Sequence, residues 1–125
     1  MTVSRHDWLG GLGVDIELAN AATPGVERLT LTSRELACLQ KSGTRLSATK
    51  MFSAKEAVFK AVNTMTDHMI GFQDVELDFD QEAKCFSAAY SGERQANAIM
   101  ACGAGLSSAY RNHVISWFLV PRSEY

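Results

Sequence analysis

The segment 74–80 alternates acidic and apolar residues at every position. One side of an extended chain would carry its apolar residues, Val75, Leu77 and Phe79, and the other side would carry its acids. A period of two predicts a half-buried strand. A second alternating segment, 84–90, follows a predicted turn at 81–83, so the two segments together predict an antiparallel hairpin.

Two helices are predicted before this hairpin. Residues 32–35 read TSRE, a capping box that predicts a helix over 33–41. After a basic loop at 41–47, Ser47 can cap a longer helix over 48–65 that is rich in strong helix formers. Apolar residues recur at helical spacing along this second helix, so one of its faces is expected to pack on a core: Met51, Ala54, Val58, Ala61 or Val62, and Met65.

Further strands are predicted near both ends of the chain. In 12–18, Val14 and Ile16 point to one side and Gly13, Asp15 and Glu17 to the other. Segment 20–25 is expected to be a connection, 96–102 carries a weaker strand signal, and 113–120 is rich in β-branched and aromatic residues. This order predicts an α+β fold, in which a helix pair packs on a mainly antiparallel sheet.

Length and composition predict a single domain over 1–125. The chain has 125 residues, of which 46% are hydrophobic, enough for one modest core but not for two. A net charge of −2 argues against a nucleic-acid-binding protein that relies on overall positive charge. No leader or membrane-spanning stretch is evident, and three widely spaced cysteines predict reduced, buried thiols and a cytoplasmic protein.

Basic residues are concentrated in the segment 41–60. Five of them stand there against the single acid Glu56, namely Lys41, Arg45, Lys50, Lys55 and Lys60. Such a cluster is commonly a solvated face, and it can also be a positive site for phosphates or for an acidic partner.

Asp15 and Glu17 are spaced two apart on a predicted strand, so their carboxylates emerge on the same side, about 7 Å apart. The two acids can share one cation, and Mg²⁺ prefers such oxygen ligands. A pair of this kind is, by itself, more often two solvated acids. The glycine-rich segment 10–13 would let another part of the protein approach the strand closely.

Glu56 and Lys60 are spaced i, i+4 and share one face of the longer helix. Alone they could be an ordinary helix-stabilising pair. Set against the strand, they would form a site of three carboxylates with an adjacent cation. Such a site can hold Mg²⁺ on a diphosphate while the lysine neutralises charge that develops during phosphoryl transfer.

Two sequence elements resemble those of the 4′-phosphopantetheinyl transferases. Residues 13–17 read GVDIE and residues 52–60 read FSAKEAVFK, similar to the family elements G-[IV]-D-[IV]-E and [FW]-[SA]-x-K-E-[AS]-x-x-K. Their order and separation are also similar, and the resemblance covers about residues 12–79. It implies the transferase fold and a holo-[acyl-carrier-protein] synthase activity. Such an enzyme transfers 4′-phosphopantetheine from coenzyme A to a serine of an acyl or peptidyl carrier protein and releases adenosine 3′,5′-diphosphate.

The resemblance also implies roles for individual residues. Asp15, Glu17 and Glu56 would bind Mg²⁺, or Mn²⁺ in its place, and Glu56 would take the proton from the carrier serine. Lys60 would contact the phosphates of coenzyme A and stabilise the leaving group. Further residues expected to bind coenzyme A are Lys55, Lys50 and Arg45.

Only fourteen residues precede Asp15. In this respect the chain is similar to the short holo-acyl-carrier-protein synthases, and the similarity implies a homo-oligomer, a trimer, with the cleft between neighbouring copies. No nucleic acid or membrane partner is implied. One alternative is a non-catalytic half-domain of a larger transferase or megasynthase, which binds coenzyme A or packs against a catalytic partner. Another is a small Mg²⁺-dependent nucleotide diphosphate hydrolase.

Overall fold

The protein is an α+β structure built on a five-stranded antiparallel sheet with the strand order β1-β5-β4-β3-β2. The computed structural model describes residues 9–42, 45–67, 69–80 and 84–122. Its elements are β1 (Leu9–Leu18), α1 (Pro24–Thr30), α2 (Ser33–Ser42), α3 (Arg45–Val62), a 3-10 turn (Phe72–Asp74), β2 (Val75–Phe79), β3 (Cys85–Tyr90), α4 (Arg94–Ala101), β4 (Ala104–Tyr110) and β5 (His113–Pro121). The predicted fold class is confirmed.

The helices differ from the prediction at their boundaries. Helix α3 begins at Arg45 and ends at Val62, three residues earlier at each end than expected. The predicted basic loop is therefore wrong for 41–42 and 45–47, which are helical, while 43–44 lie outside the described residues. Helix α1 was not predicted at all. Thr23 caps it by accepting a hydrogen bond from the Val26 amide, and Pro24 occupies the first turn, a common helix start.

Segment 94–101 is a helix, so the strand expected around 96–102 is wrong. Glu93 caps α4, because its carboxylate accepts hydrogen bonds from the Gln95 and Ala96 amides. The β4–β5 connection is a tight turn in which Arg111 and Asn112 both have positive φ, at 51° and 59°. The hairpin of β2 and β3 is confirmed, and its predicted turn at 81–83 lies outside the described residues.

Helices α3 and α4 cover one face of the sheet, which we call the inner face. The main core lies between this face and α3, whose buried residues include Ala54, Ala57, Val58, Ala61 and Val62. A second cluster joins α1 and α2 to the start of α3 and consists of Ala22, Leu31, Leu39 and Ala48. Small residues on α3 allow the helix to lie close to the strands, and this closeness determines the geometry of the site.

The opposite face of β1 and β5 is apolar and uncovered in the single chain. Val14 of β1 is 46% exposed and Ile16 is 60% exposed. Cross-strand partners place further apolar residues of β5 beside them. We call this surface the outer apolar face, and it consists of Leu12, Val14, Ile16, Ile115, Trp117 and Leu119. The polar side of β1, with Gly13, Asp15 and Glu17, is the side that faces α3.

Two other expectations concern the cysteines and the membrane. The three cysteines are free thiols, as expected, but all three are exposed, so the prediction of buried thiols is wrong. None of the described helices combines the length and the apolar character needed to cross a bilayer.

Candidate active site

The glycines of β1 allow the strand to lie directly on the backbone of α3. A Cβ atom at Gly13 would overlap the carbonyl oxygen of Ala57, and one at Gly11 would crowd that of Ala61. The close approach expected at this glycine-rich segment is therefore made by α3. It brings the polar side of β1 against the part of the helix that carries Glu56 and Lys60.

Asp15 lies at the centre of this contact and is only 5% exposed. Its Oδ1 atom is 3.1 Å from the ammonium of Lys60, which also donates a hydrogen bond to the Val14 carbonyl at 3.1 Å. The other carboxylate oxygen, Oδ2, is buried and accepts no hydrogen bond from any residue that the structure describes. A buried carboxylate oxygen of this kind is costly unless a proton, a donor or a cation compensates it.

Glu17 and Glu56 complete a group of three mutually interacting carboxyl groups. Burial, followed by the side-chain interaction and charge of Asp15 and then the charge of Glu56, raises the pKa of Glu17 to about 7. Burial and the charge of Asp15 also raise the pKa of Glu56. Lys60 opposes both shifts but does not cancel them. With all three acids ionised, the site would therefore carry more negative charge than Lys60 can balance.

These residues fit a hard divalent cation. The donor set consists of carboxylate oxygens, and Asp15 Oδ2 has no partner among the described residues. Burial, and after it the charge of neighbouring carboxylates, raises the pKa values of Glu17 and Glu56, and a bound cation would oppose both causes. Within the described ranges, however, no three metal-ligating side chains are already gathered around a common metal position.

Lys55 does not join this site. Its side chain is fully buried, and its ammonium lies 2.7 Å from Glu35 Oε1 and 2.8 Å from the carbonyl oxygens of Thr30 and Phe72. Burial lowers the pKa of Lys55, and the hydrogen bond and charge of Glu35 oppose that change. The contact with coenzyme A expected for Lys55 does not fit this position, because the ammonium points into the protein.

Two other basic residues were expected to bind coenzyme A. Lys50 is half-buried near Lys84 and Asp80, and its pKa is lowered first by burial and then by the charge of Lys84. Arg45 is the first residue of α3, and its side chain lies outside what the structure describes. Their contacts with coenzyme A stay predictions.

Glu35 is a residue that the sequence identified only as a local cap. The capping box forms as expected, with Glu35 Oε1 accepting from the Thr32 amide at 2.9 Å and Thr32 Oγ1 accepting from the Glu35 amide at 3.1 Å. The same carboxylate also binds Lys55, and its Oε2 accepts from the Leu77 amide at 2.7 Å. Nothing in the local spacing signals these long-range partners.

A family model described as the 4′-phosphopantetheinyl transferase superfamily matches residues 11–117. The chain belongs to this superfamily. The match runs from β1 into β5, so it contains all four residues that meet at the site. The predicted family and the predicted class of enzyme, a 4′-phosphopantetheinyl transferase, are thereby confirmed. No curated protein matches the sequence at a significant level.

Solved structures of holo-acyl-carrier-protein synthases share the transferase fold. The Plasmodium yoelii enzyme is 19% identical, with a TM-score of 0.68, and the match covers 93% of this chain and 97% of that one. A Bacillus anthracis enzyme, in complex with CoA (3′,5′-ADP), is 22% identical, with a TM-score of 0.67 and coverage of 93% and 99%. The Helicobacter pylori enzyme, in complex with coenzyme A, is 16% identical, with a TM-score of 0.64 and coverage of 87% and 98%.

Proposed function

We propose that this transferase moves the 4′-phosphopantetheine group of coenzyme A onto a serine of an acyl or peptidyl carrier protein. Adenosine 3′,5′-diphosphate would be the second product, and Mg²⁺, or Mn²⁺ in its place, would be required. The observation that carries the proposal is the meeting of Asp15 and Glu17 from β1 with Glu56 and Lys60 from α3. Membership of the superfamily and the coenzyme A complexes of structural relatives also support it.

Asp15, Glu17 and Glu56 are the residues that would hold the cation. When bound, the ion would supply Lewis-acid stabilisation of the diphosphate. The unpartnered Oδ2 of Asp15 supports this assignment, and so do the raised pKa values of Glu17 and Glu56, because burial and neighbouring carboxylates disfavour their charged forms and a cation would stabilise them. The protein's contribution is to keep these acids together on a close strand–helix contact.

Glu56 would also accept the proton of the serine hydroxyl. The serine oxygen forms a bond to the phosphorus that carries the pantetheine arm, and the bond from that phosphorus to the bridging oxygen breaks. The bridging oxygen leaves with adenosine 3′,5′-diphosphate. A carboxylate whose pKa is raised towards neutrality is a better base for such a step than an ordinary glutamate.

Lys60 would neutralise charge on the leaving diphosphate. Its side chain is 51% exposed, so its ammonium can turn from Asp15 to a bound phosphate, which the buried Lys55 cannot do. Lys50 and Arg45 would supply further positive charge for coenzyme A, one along α3 and one at its start. An ammonium that stabilises developing charge in this way commonly contributes about 10²-fold or more to the rate.

The transferase would act as a homo-oligomer, for which the family resemblance suggests a trimer. The outer apolar face supports self-association, because exposed apolar residues in one contiguous patch usually mark an interface. The occupant that we propose for this face is a second copy of the chain. The single-domain organisation and the cytoplasmic location stay predictions.

The direct test incubates the purified chain with coenzyme A, Mg²⁺ and an apo carrier protein and measures the intact mass of the carrier. The proposal predicts an increase by one phosphopantetheine group, which is lost when the carrier serine is replaced by alanine. If the mass is unchanged across acyl and peptidyl carriers while coenzyme A binds, the non-catalytic alternative is favoured. Phosphate products without any carrier protein would instead indicate the hydrolase.

A further inference from the structure

The Lys55 ammonium joins three separate parts of the chain to α3. It binds the carbonyl of Thr30 at the end of α1, the carbonyl of Phe72 in the 3-10 turn, and the carboxylate of Glu35 in α2. Glu35 also links α2 to β2, because its Oε2 accepts a hydrogen bond from the Leu77 amide. The path along the chain between these partners is long, so the ion pair is a tertiary link and not a local helix contact.

Lys55 has no free N–H donor for a bound phosphate. A lysine ammonium has three N–H donors, and three acceptors lie within 2.7–2.8 Å of this one. The side chains of Lys55 and Glu35 are 0% and 2% exposed. Burying a charged pair this completely does not by itself favour stability, because the desolvation cost offsets much of the attraction.

The position of Lys55 in α3 relates this link to the site. Lys55 directly precedes Glu56, and consecutive residues of an α-helix point about 100° apart. Fixing the Lys55 side chain in the protein interior therefore fixes the rotation of α3 about its axis. With that rotation fixed, Glu56 and Lys60 face β1, and Lys60 meets Asp15.

We infer that Lys55 is a positioning residue for the transfer reaction, which holds α3 in the rotation that directs Glu56 and Lys60 at Asp15 and makes no contact with coenzyme A. The inference rests on the proposed function. Lys55 acts through Glu35, so the two residues form one unit. Their replacement should therefore disturb the chemical step and the cation site more than the binding of coenzyme A.

The first test is a double-mutant cycle on folding. Lys55→Met leaves the buried Glu35 carboxylate without its counter-ion and should lower the melting temperature by about 10–20 °C, as breaking a buried ion pair does in a domain of this size. Lys55→Met combined with Glu35→Gln removes both charges and should be more stable than Lys55→Met alone. Arg94→Met, at an exposed position of α4, is the matched control and should leave the melting temperature within about 2 °C. If the loss of stability in the double variant equals the sum of the losses in Lys55→Met and Glu35→Gln, the two residues are not coupled and the inference is wrong.

The second test separates positioning from ligand contact by kinetics, at a temperature where every variant is folded. Lys55→Met, Glu35→Gln and the double variant should each lower kcat by about 10-fold or more, with KM for coenzyme A within about twofold. Lys55→Arg should not restore the rate, because a guanidinium does not fit between the two carbonyls and Glu35. A rise in KM for coenzyme A in Lys55→Met but not in Glu35→Gln, or full activity in Lys55→Arg, would overturn the inference.

A third measurement does not depend on turnover. Calorimetric titration with Mn²⁺ should show weaker binding to the double variant than to the wild type, while coenzyme A titrated alone binds both with similar affinity. If the wild type fails to modify any carrier protein, the proposed function fails. The folding cycle and the Mn²⁺ titration then still decide whether the link positions α3, and equal Mn²⁺ affinity in both proteins would contradict it.

Discussion

The backbone of Gly13 lies against the carbonyl oxygen of Ala57, with no space for a side chain between them. This contact holds β1 on the backbone of α3, so the carboxylates that β1 carries reach the charged face of the helix. Gly11 repeats the contact one helical turn further along, against Ala61. The candidate active site is thus a consequence of small residues on both elements.

Replacing Gly13 by alanine should separate the strand from the helix. The new Cβ atom would overlap backbone, which cannot move aside as a flexible side chain can, so we expect a loss of about 1–3 kcal/mol in the free energy of unfolding. Denaturant unfolding measures the loss, and transfer activity should fall with it. Gly25→Ala is the control, because its Cβ would meet nothing closer than Thr23 Oγ1 at 3.9 Å. Equal stability of both variants would show that the close contact is not required.

The raised pKa of Glu17 makes the stability of the metal-free protein depend on pH. The folded protein holds the Glu17 proton more tightly than the unfolded chain, since the pKa rises from 4.5 to about 7 on folding. The resulting stabilisation is complete below about pH 4.5 and is lost as the pH rises through 7. Thermal unfolding should therefore be measured in the presence of a chelator between about pH 4.5 and 7. Over this pH range the melting temperature of the wild type should fall more steeply than that of Glu17→Gln. Identical pH profiles would contradict the shift.

Added Mg²⁺ or Mn²⁺ would replace the lost proton in the same site. We expect the cation to raise the melting temperature more at pH 8 than at pH 5.5, where protons compete for the carboxylates. An effect independent of pH would mean that the cation binds elsewhere.

Lys60→Met should reduce transfer by about 10²-fold, because it removes the positive charge that we propose faces the leaving diphosphate. Lys60 also lowers the pKa values of Glu17 and Glu56, so its loss should shift the pH profile of activity upwards. Steady-state kinetics from pH 6 to 9 measure both effects. The control is Arg94→Met, which should keep the wild-type rate and pH profile. If Lys60→Met has the same rate and pH profile as this control, Lys60 does not take part in the reaction.

The outer apolar face should be required for assembly. Ile16→Glu places a charge at its most exposed described residue, which is 60% exposed, and should shift the protein towards monomers in light scattering coupled to gel filtration. Leu29→Glu is the control, because Leu29 is 76% exposed on α1 and lies outside this face. A wild type that is already monomeric and fully active would contradict the proposal of a shared cleft.

Residue periodicity was sufficient to predict the long helix and four of the five strands, but not the central strand β4. The alternation around Leu77 gives β2, and the apolar spacing that includes Val58 gives the buried face of α3. The carboxylates at Asp15 and the pair at Glu56 could also be predicted, because each group is defined within a few residues of sequence. These two groups meet because Gly11 and Gly13 let β1 lie on α3. The sequence indicated that some part of the protein could approach these glycines closely, but not that α3 would.

The failures have a different cause. A strand was expected around 96–102, where α4 lies, because a short apolar run does not distinguish strand from helix, and Glu93 was not recognised as a cap. Lys55 was expected to bind coenzyme A because it matches the family motif, a contact that its buried position does not fit. Its actual partners are Glu35 and two backbone carbonyls far away in sequence, and no local pattern reveals them.

In the proposed mechanism, carboxylates from β1 and α3 bind one divalent cation together. Calorimetric or paramagnetic titration with Mn²⁺, in the presence of coenzyme A, tests it in the wild type, Asp15→Asn and Glu56→Gln. We predict one site per chain in the wild type and at least about 10-fold weaker binding in each variant, because both elements contribute ligands. Unchanged affinity when either residue is replaced would contradict the shared site.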